Sequence, residues 1–318
     1  MRKGSLEFWP HRRAKRLMPR VRSPAHSDTH GALGFVAFKA GMTHVMMMDD
    51  TEGPAKGTEV SRAVTVLEVP KVSVYGIRFY SKGYAYRQVS GEVYDTGLAA
   101  KVGIKSAKKS DISKFKGKIN ELEDVTVLAF LDASVLKFGS KRVMRFEVPL
   151  GGKDNAEKLA FAEGVLGKEV KIAEFIKPGD YVDVTSVSKG KGWAGVIKRF
   201  GVSRQYRKAT GKIRHVGTLG AWHPPKVLFG VPHSGHKGFN YRTEINKRVL
   251  KVGAAAEVSA VNVKGGFLHY GPVGNDYLIV DGSIPGSAKR LVRIRKAIRN
   301  NWTVKQPKLN YVSVASKQ

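Results

Sequence analysis

Residues 189–251 hold fifteen Lys and Arg residues and a single acid, Glu244, with Gly, Pro, His and aromatic residues scattered throughout. A packed core is not built this way. Fifteen cations in 63 residues repel one another unless something polyanionic neutralises them. A nucleic-acid backbone does so, because each protein cation that meets a phosphate releases condensed counterions and gains affinity. The segment must therefore lie outside any core, and it points to RNA or DNA as the partner.

The remainder can still form a core, since 42% of the 318 residues are hydrophobic. The net charge of +30 is unevenly spread. Residues 1–44 carry nine basic and two acidic side chains, residues 45–188 carry 22 and 20, and residues 252–318 carry ten and three. The nearly neutral block resembles an ordinary globular domain, while the start, the late middle and the end are cationic. There is no cysteine, which excludes disulfides and thiolate zinc sites. No apolar run reaches membrane-spanning length, and no long basic amphipathic helix suggests a membrane surface. The first 22 residues lack the apolar stretch of a signal peptide, and Pro10, Pro19 and Pro24 break any amphipathic helix there. The start is expected to be a mature basic arm, extended and ordered only on a partner, with Phe8 and Trp9 as anchors. The cytoplasm follows as the expected compartment.

Period-two alternation and short apolar runs predict strands over residues 62–69, 73–80, 125–131, 141–148, 181–187, 255–263, 277–280 and 291–298. Residues 34–48, broken at Lys39-Ala-Gly-Met42, predict a hairpin or a bulged pair of strands. One helix is expected over residues 154–165, capped by Asp154 or Asn155. Strands flank the basic segment on both sides. The economical architecture is a single β-barrel with a mixed α/β insertion ahead of the basic loop.

Gly190-Lys-Gly-Trp-Ala-Gly195 matches G-x-G-x-x-G after a predicted strand. A dinucleotide site also needs a helix opening at the last glycine and an acid about 20 residues on. Here a short charged turn ends at Gly201, and the next acid is Glu244. Glycines that let amides approach phosphates, with Lys189 and Lys191 adding charge, fit better; a plain flexible turn also fits. His215, His223, His233 and His236 fall within 22 residues but lack a Cys or carboxylate to complete a zinc set. Contact with phosphates or bases suits them better. Trp222 beside Pro224 and Pro225 could anchor a loop in a core, or could insert among bases from a rigid tip. Its small and polar neighbours Gly217, Thr218, Gly220 and His223 favour the tip. Asp49-Asp50 reads as a solvated turn, and no nucleophile or acid–base pair supports catalysis. Asn301-Trp-Thr303 fits a glycosylation sequon but carries no weight without a secretory route.

Several separated motifs together resemble one family. Lys189-Gly-Lys-Gly192 followed by Gly195-Val-Ile-Lys-Arg199 is similar to the signature of the third large-subunit ribosomal protein family. Gly220-Ala-Trp-His-Pro224, Gly238-Phe-Asn-Tyr-Arg-Thr243, Gly4-Ser-Leu-Glu-Phe8 ahead of Arg12-Arg-Ala-Lys-Arg16, and Lys39-Ala-Gly-Met-Thr-His44 resemble its archaeal and eukaryotic branch. The resemblance runs from the arm through at least Gly253, and the insertion is similar to the longer archaeal form. It implies a six-stranded Greek-key barrel of translation-protein type. It also implies a structural, non-enzymatic role in large-subunit assembly, contacts with rRNA and neighbouring ribosomal proteins, and a loop reaching toward the peptidyl transferase centre with Trp222 at its tip.

The expected organisation is a basic arm (1–33), the first part of the barrel (34–75), an α/β insertion (76–177), a barrel strand (178–188), the basic RNA-binding loop (189–251), barrel completion (252–300) and a tail (301–318). The expected RNA contacts in the arm are Arg12, Arg13, Lys15 and Arg16. In the loop they are Lys189, Lys191, Lys198, Arg199, Arg204, Arg207, Lys208, Lys212, Arg214, His215, Trp222, His223, Lys226, His236, Lys237, Tyr241, Arg242, Lys247 and Arg248. No metal, cofactor, small-molecule substrate or membrane is expected. An RNA-modification factor and a DNA-compacting basic protein are the competing readings. The first needs a nucleotide cofactor and the second a preference for duplex DNA.

Overall fold

The computed structural model describes residues 5, 7–19, 21, 27–28, 30–84, 86–104, 112–137, 139–209, 211–299 and 304–316. The sequon at residues 301–303 lies outside them. In chain order the strands are β1 (Gly31–Ala32), β2 (Gly34–Met48), β3 (Glu59–Glu68), β4 (Val72–Ser81), β5 (Gln88–Tyr94), β6 (Leu122–Asp132), β7 (Val143–Gly151), β8 (Glu169–Val170), β9 (Tyr181–Val187), β10 (Gly190–Ala194), β11 (Gly235–Gly238), β12 (Tyr241–Gly253), β13 (Tyr277–Asp281), β14 (Leu291–Lys296) and β15 (Leu309–Val312). The helices are α1 (Thr96–Lys101), α2 (Ser113–Lys116), α3 (Asn155–Val165) and α4 (Val196–Phe200). The chain forms two compact units, Met1–Leu17 with Val187–Arg242, and Met18–Ser186 with Thr243–Gln318.

The larger unit is mainly β. Its first sheet runs β14-β9-β12-β13-β3-β2-β15, and β14 pairs with β2 as well as β9. Its second sheet runs β1-β7-β6-β4-β5, with β8 added on β4. The sheets curl and are antiparallel, as in β2 on β3, β13 on β3 and β6 on β7. Residues from both sheets share one apolar core, among them Phe38, Leu67, Ile279 and Ile294 from the first and Leu131, Phe146 and Val148 from the second. The apolar run of β6 is buried from Val125 to Leu131, because the sheet is covered on both faces. One face meets the shared core and α3, whose Leu159 and Ala162 lie against Ile77, Phe79 and Val127; the other, with Leu128 and Phe130, is covered by Leu98 of α1 and by Val102.

Residues 34–48 form one long strand rather than a hairpin. Its register slips between Lys39 and Gly41, a β-bulge that bends the strand without ending it. A Cβ at Gly41 would lie 2.5 Å from the Phe267 ring, so the bulge needs glycine there. Residues 255–263 are not a strand. Ala255–Ala260 is a 3-10 helix. The small side chains of Ala254–Ala256 cover too little of a sheet face to hold a strand, and Asp276 instead accepts the Ala255 amide at 2.9 Å. Residues 154–165 are helical as expected, with Asp154 at the N-cap.

Asp50 is not a solvated turn residue. It accepts from both terminal nitrogens of Arg248, one at 2.7 Å. Arg248 extends from β12, whose 13 residues include the C-terminal part of the basic segment. Asp183, 1% exposed in β9, accepts Arg295 at 3.0 Å and the Asn246 amide at 3.0 Å. One buried carboxylate therefore ties β9, which leads into the basic segment, to β12, which leads out of it. That linkage fixes the two ends from which the segment departs.

Candidate nucleic-acid interface

The smaller unit holds most of the basic segment and the start of the arm. It carries eighteen Lys and Arg residues against one acid, Glu7. Its framework is slight. β10 pairs with β11, with a bulge between Gly190 and Trp193, and α4 follows at once, ending at Gly201 in the left-handed conformation. The glycines at 190–195 are thus mostly strand, not an open phosphate cradle. Gly238 is required for this pairing: its φ is +76°, and a Cβ would fall 2.1 Å from the Lys189 carbonyl.

The described part of the arm docks on its own chain, whereas the sequence suggests order only on a partner. The Ala14 amide donates to the Phe239 carbonyl at 2.7 Å, and Asn240 Nδ2 donates to the Arg12 carbonyl at 2.6 Å. The Tyr241 hydroxyl donates to the Arg16 carbonyl at 3.1 Å. Trp9 stacks on Phe200 at 5.6 Å and meets Phe229 edge-on at 6.0 Å. The Arg242 guanidinium lies 4.8 Å from the Phe8 ring centroid. Tethering the arm to the segment's base brings Arg12, Arg13, Lys15 and Arg16 into the same unit as the cations of residues 189–242.

Of the expected contact residues, Arg12, Arg13, Lys15, Arg16, Lys189, Lys191, Lys198, Arg204, Arg207, Lys208, Lys212, Arg214, His215, Trp222, His223, Lys226 and Tyr241 are exposed. Arg199, His236, Lys237, Arg242, Lys247 and Arg248 are half-buried. Arg199 works internally, donating to the carbonyls of His236 at 3.1 Å and His233 at 2.8 Å. Arg248 is engaged by Asp50, and Lys247 by Glu244 at 2.9 Å. Among the described residues, no Lys or Arg of the smaller unit pairs with a carboxylate, whereas the ion pairs that do form all lie in the larger unit. The unit's positive charge therefore stands without an internal neutraliser.

Trp222 is 88% exposed. Trp193, Tyr206 and Phe229 are exposed as well, at 79%, 74% and 73%, and sequence reasoning had not singled them out. Their signal was present: large aromatics in a stretch with too few apolar neighbours to bury them. Trp222→Ala should leave the unfolding free energy of the isolated protein within about 0.5 kcal/mol of wild type, since no packing is lost at an exposed site. A loss of roughly 3–5 kcal/mol in a denaturant melt would place the ring in a core instead.

His11 sits beside Trp9 at 4.9 Å. Burial first, then the charges of Arg199 and Arg242, lower its pKa below the ordinary 6.5. A released arm would carry an unperturbed histidine that binds a proton more readily, so docking should be strongest above pH 6.5 and weaken as pH falls below it. Amide exchange at Ala14, corrected for intrinsic rates, should accelerate at pH 5.5 relative to pH 7.5, and His11→Gln should abolish the difference.

These features define a class, a β scaffold bearing a polycationic arm studded with exposed aromatics. The chain belongs to the Ribosomal protein L3 family, whose profile matches residues 1–88 and 103–318. It is 42% identical to the large ribosomal subunit protein uL3 of Methanothermobacter thermautotrophicus, over 100% of this chain and 97% of that protein. The proteins of the same name from Methanobrevibacter smithii and Methanocaldococcus jannaschii are 42% and 39% identical, each over 100% of this chain and 97% of theirs. Among the described residues, no three His, Asp or Glu side chains converge as a metal site, and no helix is long and apolar enough to cross a membrane.

Proposed function

We propose that this protein is a structural constituent of the large ribosomal subunit. It binds large-subunit rRNA through the basic segment and the arm, and supports subunit assembly by neutralising phosphates so that RNA helices can approach closely. One observation carries this: eighteen cations in the smaller unit face one acid and no carboxylate partner among the described residues. Such charge is stable only against a polyanion. Membership in the L3 family, and relatives named for the large subunit, support reading that polyanion as rRNA. The segment at 189–251 reaches toward the peptidyl transferase centre, with Trp222 and the other exposed rings stacking on unpaired bases. The other partners are neighbouring ribosomal proteins, and the protein resides on the cytoplasmic ribosome. It is not an enzyme; the RNA performs the chemistry.

The larger unit serves as the anchor. We read β2, β3, β13, β12, β9 and β14 as a six-stranded Greek-key barrel of translation-protein type, a reading supported by β14 pairing with both β9 and β2. The insertion at 76–177 interrupts that barrel ahead of the basic loop.

Sedimentation of a native lysate through sucrose tests the reading. The protein should travel with the large subunit at moderate salt and after a high-salt wash. Migration near the top of the gradient at both salts would sink it. Micromolar binding of a nucleotide cofactor would then favour a modification factor, and preference for duplex DNA over structured RNA a compacting protein.

A further inference from the structure

Strand β14 carries three cations within four residues, Arg293, Arg295 and Lys296. In the larger unit they line a cavity of about 140 Å³ together with Leu33, Pro149 and Ile298. No Asp or Glu is among the described residues that line it. Arg295 is answered by Asp183, through Nε at 3.1 Å and Nη2 at 3.0 Å. Arg293 is not answered in this way. Its Nη2 donates to the backbone carbonyl of Glu147, and among the described residues it has no ion pair. The Glu147 carboxylate is already occupied by Arg78 at 3.1 Å, Tyr80 at 2.6 Å and Thr126 at 2.8 Å. Burial lowers the pKa of Arg293, with the charge of Arg295 acting in the same direction and that of Glu147 opposing it. A guanidinium still does not deprotonate in a protein, so the cation remains, with the Glu147 charge nearby but, among the described residues, no carboxylate oxygen bonded to it.

A desolvated cation without a counterion is costly, and proteins rarely keep one with no anion to receive it. The planar guanidinium fork matches the oxygens of a phosphoryl group. At roughly 30 Å³ per water, the cavity has room for such a group with a water or two beside it. We propose that this cavity is a phosphate seat, with Arg293 as its principal ligand and Arg295 and Lys296 supplying the surrounding positive field. The seat lies outside the basic segment, and Val21, Ser27 and Leu33 from the end of the arm form part of its wall. Its favoured occupant is an RNA backbone phosphate, which rests on the ribosomal reading above; a free phosphate would meet the same chemistry.

Two measurements on the full chain separate these sources. The first compares thermal melts in inorganic phosphate and in chloride at matched ionic strength. Wild type should gain a phosphate-specific rise in Tm. Arg293→Gln should lose that increment, and Arg293→Lys should keep part of it. Ile298→Glu, at a position 46% exposed and therefore tolerant of substitution, puts a carboxylate at the rim and should also abolish the increment. It decides the matter should Arg293→Gln fail to fold. The second follows affinity for a large-subunit rRNA transcript against salt. Arg293→Gln should shallow the log–log slope by about 0.7–0.9 and weaken binding roughly sixfold at 0.1 M, the contribution of one phosphate contact. A response in both measurements assigns the seat to RNA backbone, and a response in the phosphate melts alone assigns it to a free phosphate. No response in either, with the wild-type slope still steep, overturns the seat and leaves the ribosomal reading intact. A shallow wild-type slope sinks the ribosomal reading, and the phosphate melts still decide the seat.

Discussion

Affinity of the full chain for large-subunit rRNA should fall by about 10,000- to 100,000-fold between 50 and 200 mM monovalent salt. The smaller unit brings eighteen Lys and Arg residues and one acid to the RNA. Three of its cations are partly withdrawn. Arg199 is held by the carbonyls of His233 and His236, the Lys237 ammonium donates to the Lys198 carbonyl, and Arg242 lies over Phe8. If about ten of the remaining cations meet phosphates, each contributes 0.7–0.9 to the log–log slope, giving roughly −7 to −9. The exposed rings of Trp193, Tyr206 and Trp222 add a stacking term that salt barely screens, so binding should persist weakly at high salt. A slope near −2 would mean that most of these cations never reach a phosphate, and the extensive footprint would have to be abandoned. The measurement is a filter-binding or fluorescence titration across that salt range.

Much of this was legible in the sequence because charge needs no folding to be counted. The strands of the larger unit were legible for a related reason: β4, β6, β9 and β13 are bounded apolar or alternating runs that have nowhere to go but a core. The misreadings have local causes. β12 carries Arg242, Glu244, Lys247, Arg248 and Lys251 within 13 residues, and so resembles loop. Its place in the sheet comes from partners far away in sequence. Asp183 captures the Asn246 amide, Asp50 captures Arg248, and β13 supplies the ladder. Residues 255–263 failed in the opposite sense. They are apolar enough for a strand, but too small to offset its backbone entropy. The docking of the arm was invisible for a third reason. Trp9 and Phe200 lie far apart in the chain, and neither side of that contact has a periodic pattern. The Arg293 cavity shares this character, since what marks it is the absence of a carboxylate among the described residues that line it, and absence becomes visible only in three dimensions.

Glu68→Ala should remove about 3–5 kcal/mol of stability, far more than truncation of an exposed ring such as Trp222. Glu68 ends β3 and is 2% exposed. Its Oε1 accepts the amides of Gly274 and Asn275, each at 2.9 Å, and Asn275 Nδ2 at 2.7 Å, while Oε2 accepts the Tyr270 hydroxyl. Burial first, then the Glu68 charge and hydrogen bond, keep the Tyr270 phenol protonated far above its usual range. Among the described residues no cation pairs with Glu68, so four donors stabilise this carboxylate alone. Those donors sit on the connection between β12 and β13, which also delivers Phe267, Tyr270 and Val273 to the core. Truncation would orphan all four inside the protein, each at about 1–3 kcal/mol before relaxation, and would loosen the apolar side chains that the connection carries. Glu68→Gln separates hydrogen bonding from charge. Its carbonyl can still receive the three donors of Oε1, and the Tyr270 hydroxyl can turn to accept from the new amide, so the loss should stay near ~1 kcal/mol. Urea unfolding of the full chain followed by near-ultraviolet circular dichroism measures both. An alanine variant within about 1 kcal/mol of wild type would mean that water replaces the carboxylate. The connection would then be held by its buried side chains rather than by Glu68.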